Sequence, residues 1–214
     1  PSDRTLFVHS QRVEHPVKWR KCAVMTDRWR LVNGKELYDI AADPGQRLDV
    51  AAEHRDVVGQ LSLAYEAWWR TLQPRFDEYV RIEVGAAENP SHLMSHDWHT
   101  NDRATPWHQN HVRNGSIGNG PWAIDVARAG RYEITLRRWP EALDRAMDCV
   151  HASLEVGDVR VKKDLSPDAT HATFEVDLPA GPAMLLTTLR RNADKPDTGK
   201  EHGAYFASIR PLPR

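Results

Sequence analysis

Hydrophobic and polar positions follow three regimes along the chain. In the first, "AVMTDRWRLV" and "KELYDI" flank Asn33-Gly34, the dipeptide best able to supply positive φ at both centres of a type I′ turn, so a β-hairpin is predicted. A turn follows at "DPGQ", residues 43–46. From Arg55 onward, Val57, Val58, Leu61, Tyr65, Trp68 and Leu72 recur at three- and four-residue steps, the signature of an amphipathic helix that Pro74 stops. One face of that helix is expected on the hairpin sheet, and "YVRIEVG", residues 79–85, reads as another strand.

The second regime, residues 86–120, shows neither helical nor strand period and is dense in Asn, Pro, Gly, His and Asp. A run of this length inside a compact protein is usually functional or disordered, and its tryptophans argue against disorder. After Pro121 the period becomes two: Trp122, Ile124, Val126; Tyr132, Ile134, Leu136; Phe174, Val176, Leu178; Tyr205, Ala207, Ile209. Gly130, Gly157, Gly181 and Gly203 punctuate these runs, as in a β-sandwich or related all-β module. The expected architecture is therefore α+β. A small antiparallel sheet with one long helix (1–85) precedes an irregular His/Trp-rich segment (86–120) and a sandwich-like extension (121–214).

Composition narrows the function classes. With 29 basic against 30 acidic residues the net charge is -1, so no global field draws the chain to nucleic acid or an anionic membrane, and neither is expected as a partner. No apolar run approaches the roughly 20 residues of a membrane span. The N-terminus has no signal-peptide core, but the chain starts at Pro1 and is expected to be cut from something longer, which leaves localisation open. Cys22 and Cys149 lie far apart with no CxxC pair, against a thiolate zinc site or a disulfide scaffold, with a single bridge left open.

Candidate chemistry concentrates in "HDWHTNDRATPWHQNH", residues 96–111. His96 with His99, and His108 with His111, have the i, i+3 spacing of zinc ligands, although Pro106 and the lack of periodicity place them on a loop. Loop packing is a second reading of these histidines. A third is ligand binding, because His, Asp, Trp, Asn and Gln together offer the hydrogen bonds and ring faces that a hydroxyl-rich or anionic substrate needs. No GxSxG elbow is present, and Cys22 sits in a predicted strand as a buried structural thiol. "GSIGNG", residues 115–120, lacks the strand and helix that a phosphate loop requires and is expected to be a turn. Arg137 and Arg138 would point to opposite faces of a strand, and a solvated strand end is the expectation for them.

The stretch "WRLVNGKELYDIAADPGQRLDVAAEHRDVVGQLSLAYEAWW" resembles the C-terminal subdomain of type I sulfatases, in which a hairpin ending in an ELYDL-like strand leads through a DP turn to a helix. The residues that carry the resemblance are Trp29, Arg30, Leu31, Glu36, Leu37, Tyr38, Asp39, Asp43, Pro44, Ala51, Ala52, His54 and Val57. Departures fall at Gln46, Asp49 and Arg55. "NPSHLMSHDWH", "PWHQNHV" and "NGPWAIDVARAGRYEITLRRWP" further resemble the tail of a bacterial arylsulfatase subgroup with a β-rich extension.

The resemblance implies sulfate-ester hydrolysis in an intact enzyme, by a formylglycine made from Cys or Ser in C/S-x-P/A-x-R and a calcium ion. That motif is absent: Cys22 is followed by "AVMT", Cys149 by "VHAS", and Ser62 with Ala64 lacks the arginine, having Glu66 instead. No catalytic residue and no metal ligand is assigned to this chain, and calcium and formylglycine are expected in a catalytic α/β domain of the same sulfatase. The implied role is to cap that domain and lend a loop to the pocket of a sulfate ester, aryl or glycan. His96, Asp97, Trp98, His99, Trp107, His108 and Gln109 are the candidate substrate-binding residues. By family resemblance the parent protein is periplasmic or secreted. Two alternatives stand beside this: a carbohydrate-binding sandwich, for which Trp122 and Trp139 should line an exposed face, and a structural interaction domain with an exposed apolar patch.

Overall fold

The computed structural model of the chain describes residues 4–11, 13–100, 105–116, 118–191 and 201–213. Two compact units divide it, Pro1–Glu78 and Tyr79–Arg214. The boundary falls before "YVRIEVG" rather than after it, because that strand pairs within the second unit.

In the first unit, strands β1 (Leu6–His9), β2 (Cys22–Met25), β3 (Trp29–Val32) and β4 (Glu36–Asp39) form an antiparallel sheet in chain order. The β3–β4 turn uses the positive φ expected of Asn33 (51°) and Gly34 (69°), and Lys35 N–H donates to the Val32 carbonyl at 3.0 Å. The Trp19 ring crosses so close to this turn that a Cβ on Gly34 would lie 2.8 Å from it. Beyond β4, Asp43 accepts the backbone N–H groups of Arg47 and Leu48, while Asp49 accepts those of Leu37 and Ala51. These bonds hold both carboxyls below the usual carboxylate range and fix the path into the helix.

Helix α1 (Arg55–Leu72) runs to the expected length, but Pro74 continues it as a single 3-10 turn, Gln73–Arg75, since proline is tolerated in a first turn. Its buried stripe is Leu61, Tyr65 and Trp69 at four-residue steps, packed against Cys22, Val24, Leu31 and Leu37 of the sheet. Trp68 lies beside the stripe, its ring stacked on Phe7 at 4.8 Å.

The second unit is mostly β and sandwich-like. One sheet runs in the order β10 (Val159–Asp164), β9 (Cys149–Val156), β12 (Gly181–Arg191), β7 (Trp122–Val126), β5 (Ile82–Val84), with β13 (Glu201–His202) also on β12. The other runs β11 (Ala172–Leu178), β8 (Gly130–Arg137), β14 (Phe206–Pro211), β6 (Ser91–Met94). All pairings are antiparallel except β5 with β7. Period two explains the core: Tyr132, Ile134, Leu136, Phe174, Val176 and Ile209 from one sheet meet Trp122, Ile124, Leu154, Val156, Leu185 and Leu189 from the other. Each such large side chain withdrawn from water contributes about 1.5–3 kcal/mol.

Two expectations change. The segment 86–120 is not one irregular loop: β6 adds an edge strand to β14, and a five-residue helix α2 (Gln109–Arg113) follows it. Arg138 is not a solvated strand end, being only 5% exposed. Cys22 and Cys149 are each a buried free thiol within its own unit.

Replacing Gly34 by alanine puts a Cβ both at positive φ and into the Trp19 ring. Gly34→Ala is expected to destabilise the first unit by about 2 kcal/mol, read as a lower urea midpoint with an unchanged m-value.

Candidate functional site

The His/Trp-rich segment is held to the sandwich by named bonds. Ser95, buried, donates its N–H to the Tyr205 carbonyl (2.8 Å) and its hydroxyl to the Pro106 carbonyl (3.0 Å). Trp122, at zero exposure, donates its indole N–H to Met94 O (2.8 Å) and meets the edge of Trp98 at 5.8 Å. His99 N–H donates to Pro121 O (3.0 Å). His108 caps α2, its Nδ1 accepting Asn110 N–H at 3.1 Å, and Trp107 N–H donates to His111 Nδ1 at 3.3 Å. With Nδ1 accepting, each neutral ring carries its proton on Nε2, where it can only donate.

These anchors separate the seven candidate residues. His96, Trp107, His108 and Gln109 line one groove of about 520 Å³. Asp97 is exposed and does not line it. Trp98 is core, packed on Trp122 and Tyr205 so closely that a Cβ on Gly203 would stand 2.5 Å from its ring. His99 packs edge-on against Tyr79 at 4.4 Å, away from the groove. The histidines therefore do not converge, and among the described residues no three His, Cys, Asp or Glu side chains are grouped to hold a metal.

The groove's apolar wall is Met94, Trp107, Trp139, Leu143 and Phe206, with Trp107 48% exposed. Its polar rim is His96, His108, Gln109 and Arg113, and no carboxylate is among the described lining side chains. Arg113 bonds to the amides of Asn110 and Gln109, and among the described residues no carboxylate pairs with it. Trp139 donates its indole N–H to Ala146 O (3.0 Å), and the guanidiniums of Arg138 and Arg145 lie over its ring at 4.6 and 4.2 Å. Sequence periodicity could not have found Arg113, Leu143 or Phe206, because they converge from three separate elements. A second depression of about 460 Å³ on the face of β9, β10 and β12 mixes Lys162, Lys163 and Arg190 with Asp164 and Glu201, and shows no charge preference.

A buried polar cluster lies at the end of the sandwich. His202 donates Nδ1–H to Gly203 O (2.7 Å) and stacks on Tyr205 at 5.0 Å. Burial, with the charges of Arg191 and Arg138, pushes its imidazole down to about 4 against the Gly203 bond. Burial likewise pushes the Tyr205 phenol up to about 12 and the Cys149 thiol up to about 11. All three groups are neutral at pH 7. Burial and the neighbouring Arg191 depress the Arg138 guanidinium, which donates to Met147 O (3.2 Å) and pairs with Asp148 at 3.5 Å.

Neither a protein-family model nor a curated protein matches the sequence. Solved structures that match include a ruminal GH26 endo-β-1,4-mannanase (14% identity over 60% of this chain, TM-score 0.35). Others are CBM35 from Cellvibrio japonicus Abf62 (17%, 58% of this chain and 90% of that one, 0.31) and Eiger TNF from S. frugiperda (15%, 60% and 88%, 0.25). The chain spans 27% of the mannanase structure it matches. Superpositions this loose carry no argument about function.

Because His202 titrates near 4 when folded and near 6.5 when unfolded, the unfolded state takes up the proton first as pH falls. Its contribution is complete above pH 6.5 and is lost toward pH 4, about 3 kcal/mol in all. The charged groups that act on it are Arg191 and Arg138, and the neighbouring Tyr205 phenol, pushed up to about 12, stays protonated through this range. Urea midpoints of the chain should fall between pH 7 and 4.5, and fall less in His202→Gln.

Proposed function

We propose that the second unit is a carbohydrate-binding β-sandwich module that takes an anionic, sulfated sugar in the groove beside Trp107. The observation that carries this reading is the lining itself: exposed aromatic surface, donors from His108 and Gln109, and, among the described residues, an arginine with no carboxylate paired to it and no acid in the wall. A sugar ring offers an apolar C–H face to Trp107 and hydroxyls to the rim, while a sulfate ester answers Arg113. The volume lies within the roughly 300–1,000 Å³ of ligand sites. Trp122 and Trp139 take no part as an exposed platform: Trp122 is fully buried and Trp139 is only 4% exposed.

A second reading, that the chain is the C-terminal portion of a type I sulfatase, is favoured by the first unit. There Glu36–Asp39 forms the strand, Asp43 the turn and Arg55–Leu72 the helix that the resemblance requires. In that reading the second unit's groove holds the leaving group of the sulfate ester. Calcium and formylglycine belong to a catalytic domain outside this sequence. The described residues do not fit a calcium site.

Affinity electrophoresis through a sulfated galactan, and through the same galactan desulfated, tests the first reading. The chain should be retarded more by the sulfated gel. Trp107→Ala should lower affinity about tenfold for both without lowering the melting temperature, since the side chain is half exposed. Arg113→Gln should remove the preference for sulfate, and equal migration of wild type and Trp107→Ala would sink the proposal. For the second reading, hydrolysis of a chromogenic aryl sulfate is expected only from a chain extended upstream through a formylglycine motif; turnover by these 214 residues alone would overturn it.

A further inference from the structure

The cluster at the end of the sandwich holds more positive charge than its described surroundings neutralise. Arg138 is 95% buried by its 5% exposure, and its Nε has no partner among the described residues. Arg191, on β12 opposite Cys149 after the β-bulge, likewise has a buried Nε without a partner. Both arginines reach the same stretch of chain: Arg191 pairs opposite Cys149, and Arg138 donates to the carbonyl of Met147 two residues before it, so that Arg191 is the largest charge acting on Arg138. Against these two cations stands the carboxylate of Asp148, which pairs with Arg138 at a long 3.5 Å and keeps a third of its side chain in solvent. Tyr205, Cys149 and His202 are neutral and supply no counter-charge.

Local geometry shows that Arg191 is admitted by design of the backbone rather than stranded. Gly115 sits at φ +63°, and any Cβ there would lie 1.9 Å from Arg191 Nη2, so only glycine leaves room for the guanidinium. Tyr205 OH donates to Ser116 O at 2.6 Å and fixes that backbone against the cluster. A buried arginine is costly to retain unless its fork is filled. Two forks with free Nε–H donors match the tetrahedral or planar oxygens of an oxyanion, which accepts paired N–H bonds.

We propose that Arg138 and Arg191 form a binding site for one small divalent oxyanion, sulfate or phosphate, at the end of the sandwich. The site is separate from the groove and stands whether or not the groove binds sugar. Chloride, a sphere without paired oxygens, satisfies the forks poorly. The anion would join the chain just past β8 to the end of β12 through Arg138 and Arg191 and so stabilise the second unit when bound.

The test is thermal unfolding of the whole chain near neutral pH with sodium sulfate or sodium phosphate raised to about 10 mM against chloride of equal ionic strength, a range too low for general salting-out. A saturable rise in melting temperature with sulfate or phosphate, and none with chloride, is the expected result. Arg191→Gln should weaken the apparent affinity about tenfold or more, as expected for a charged hydrogen-bond partner lost. Arg191, half-buried, is chosen because Arg138→Gln disturbs the Met147 and Trp139 contacts as well. Phosphate acting without sulfate, or the reverse, identifies which oxyanion is bound. Equal shifts in all three salts overturn the site, as does a wild-type titration curve in Arg191→Gln. Loss of the effect in Arg113→Gln instead would move the anion to the groove and overturn the assignment equally.

Discussion

The second unit depends on where Trp122 puts its indole nitrogen. A tryptophan at zero exposure must find an acceptor for its N–H or lose the hydrogen bond that water would give it, a cost of about 1–3 kcal/mol. The acceptor it finds is the carbonyl of Met94, the last residue of the edge strand β6. That single bond, inside a core of period-two aliphatic residues, ties an edge strand of one sheet to the central side chain of the other. Everything that follows Met94 inherits the position: Ser95 turns in to bond Tyr205 and Pro106, Trp98 fills the space beside Trp122, and Trp107 is left at the surface.

From this constraint the groove gains its rigidity. Its walls come from β6, from the capped start of α2 and from the bend after β8, none of which is long enough to hold a site alone. Short elements fix side chains only when their ends are bonded, and here the ends are bonded to the sandwich by backbone carbonyls. His108 illustrates the economy of the arrangement, because one ring nitrogen completes the helix and the other remains a donor for a ligand.

Legibility in the sequence tracked how much of each element's stability is local. The Asn33-Gly34 turn, the α1 stripe and the four strands after Pro121 announce themselves by φ preference or period, and all are present. Strand β6 was illegible because its inward pair is Ser91 and Leu93, and a buried serine satisfied by the Glu88 carbonyl reads as loop. Strand β10, "VRVKKD", hides behind outward charges. Of the candidate residues, the four that line the groove share it through tertiary contacts, whereas Trp98 and His99 are consumed by packing. A cluster of histidines and tryptophans signals that a segment is costly to place, not which members face a ligand.

Arg138 shows the same limit from the other side. Sequence alternation would put it opposite Arg137, and exposure is the ordinary fate of an arginine at a strand end. Burial overrides that prior because the side chain stacks on Trp139 at 4.6 Å and bonds the Met147 carbonyl, while Gly115 makes space for a second guanidinium nearby. Trp139 thus stands between two cationic environments, lining the groove while its ring lies against buried Arg138 and exposed Arg145. In the groove, water screens Arg113, and charge contributes selectivity more than affinity. Behind the ring the dielectric is low, so the same charge is strongly coupled to folding and must be answered by an acceptor.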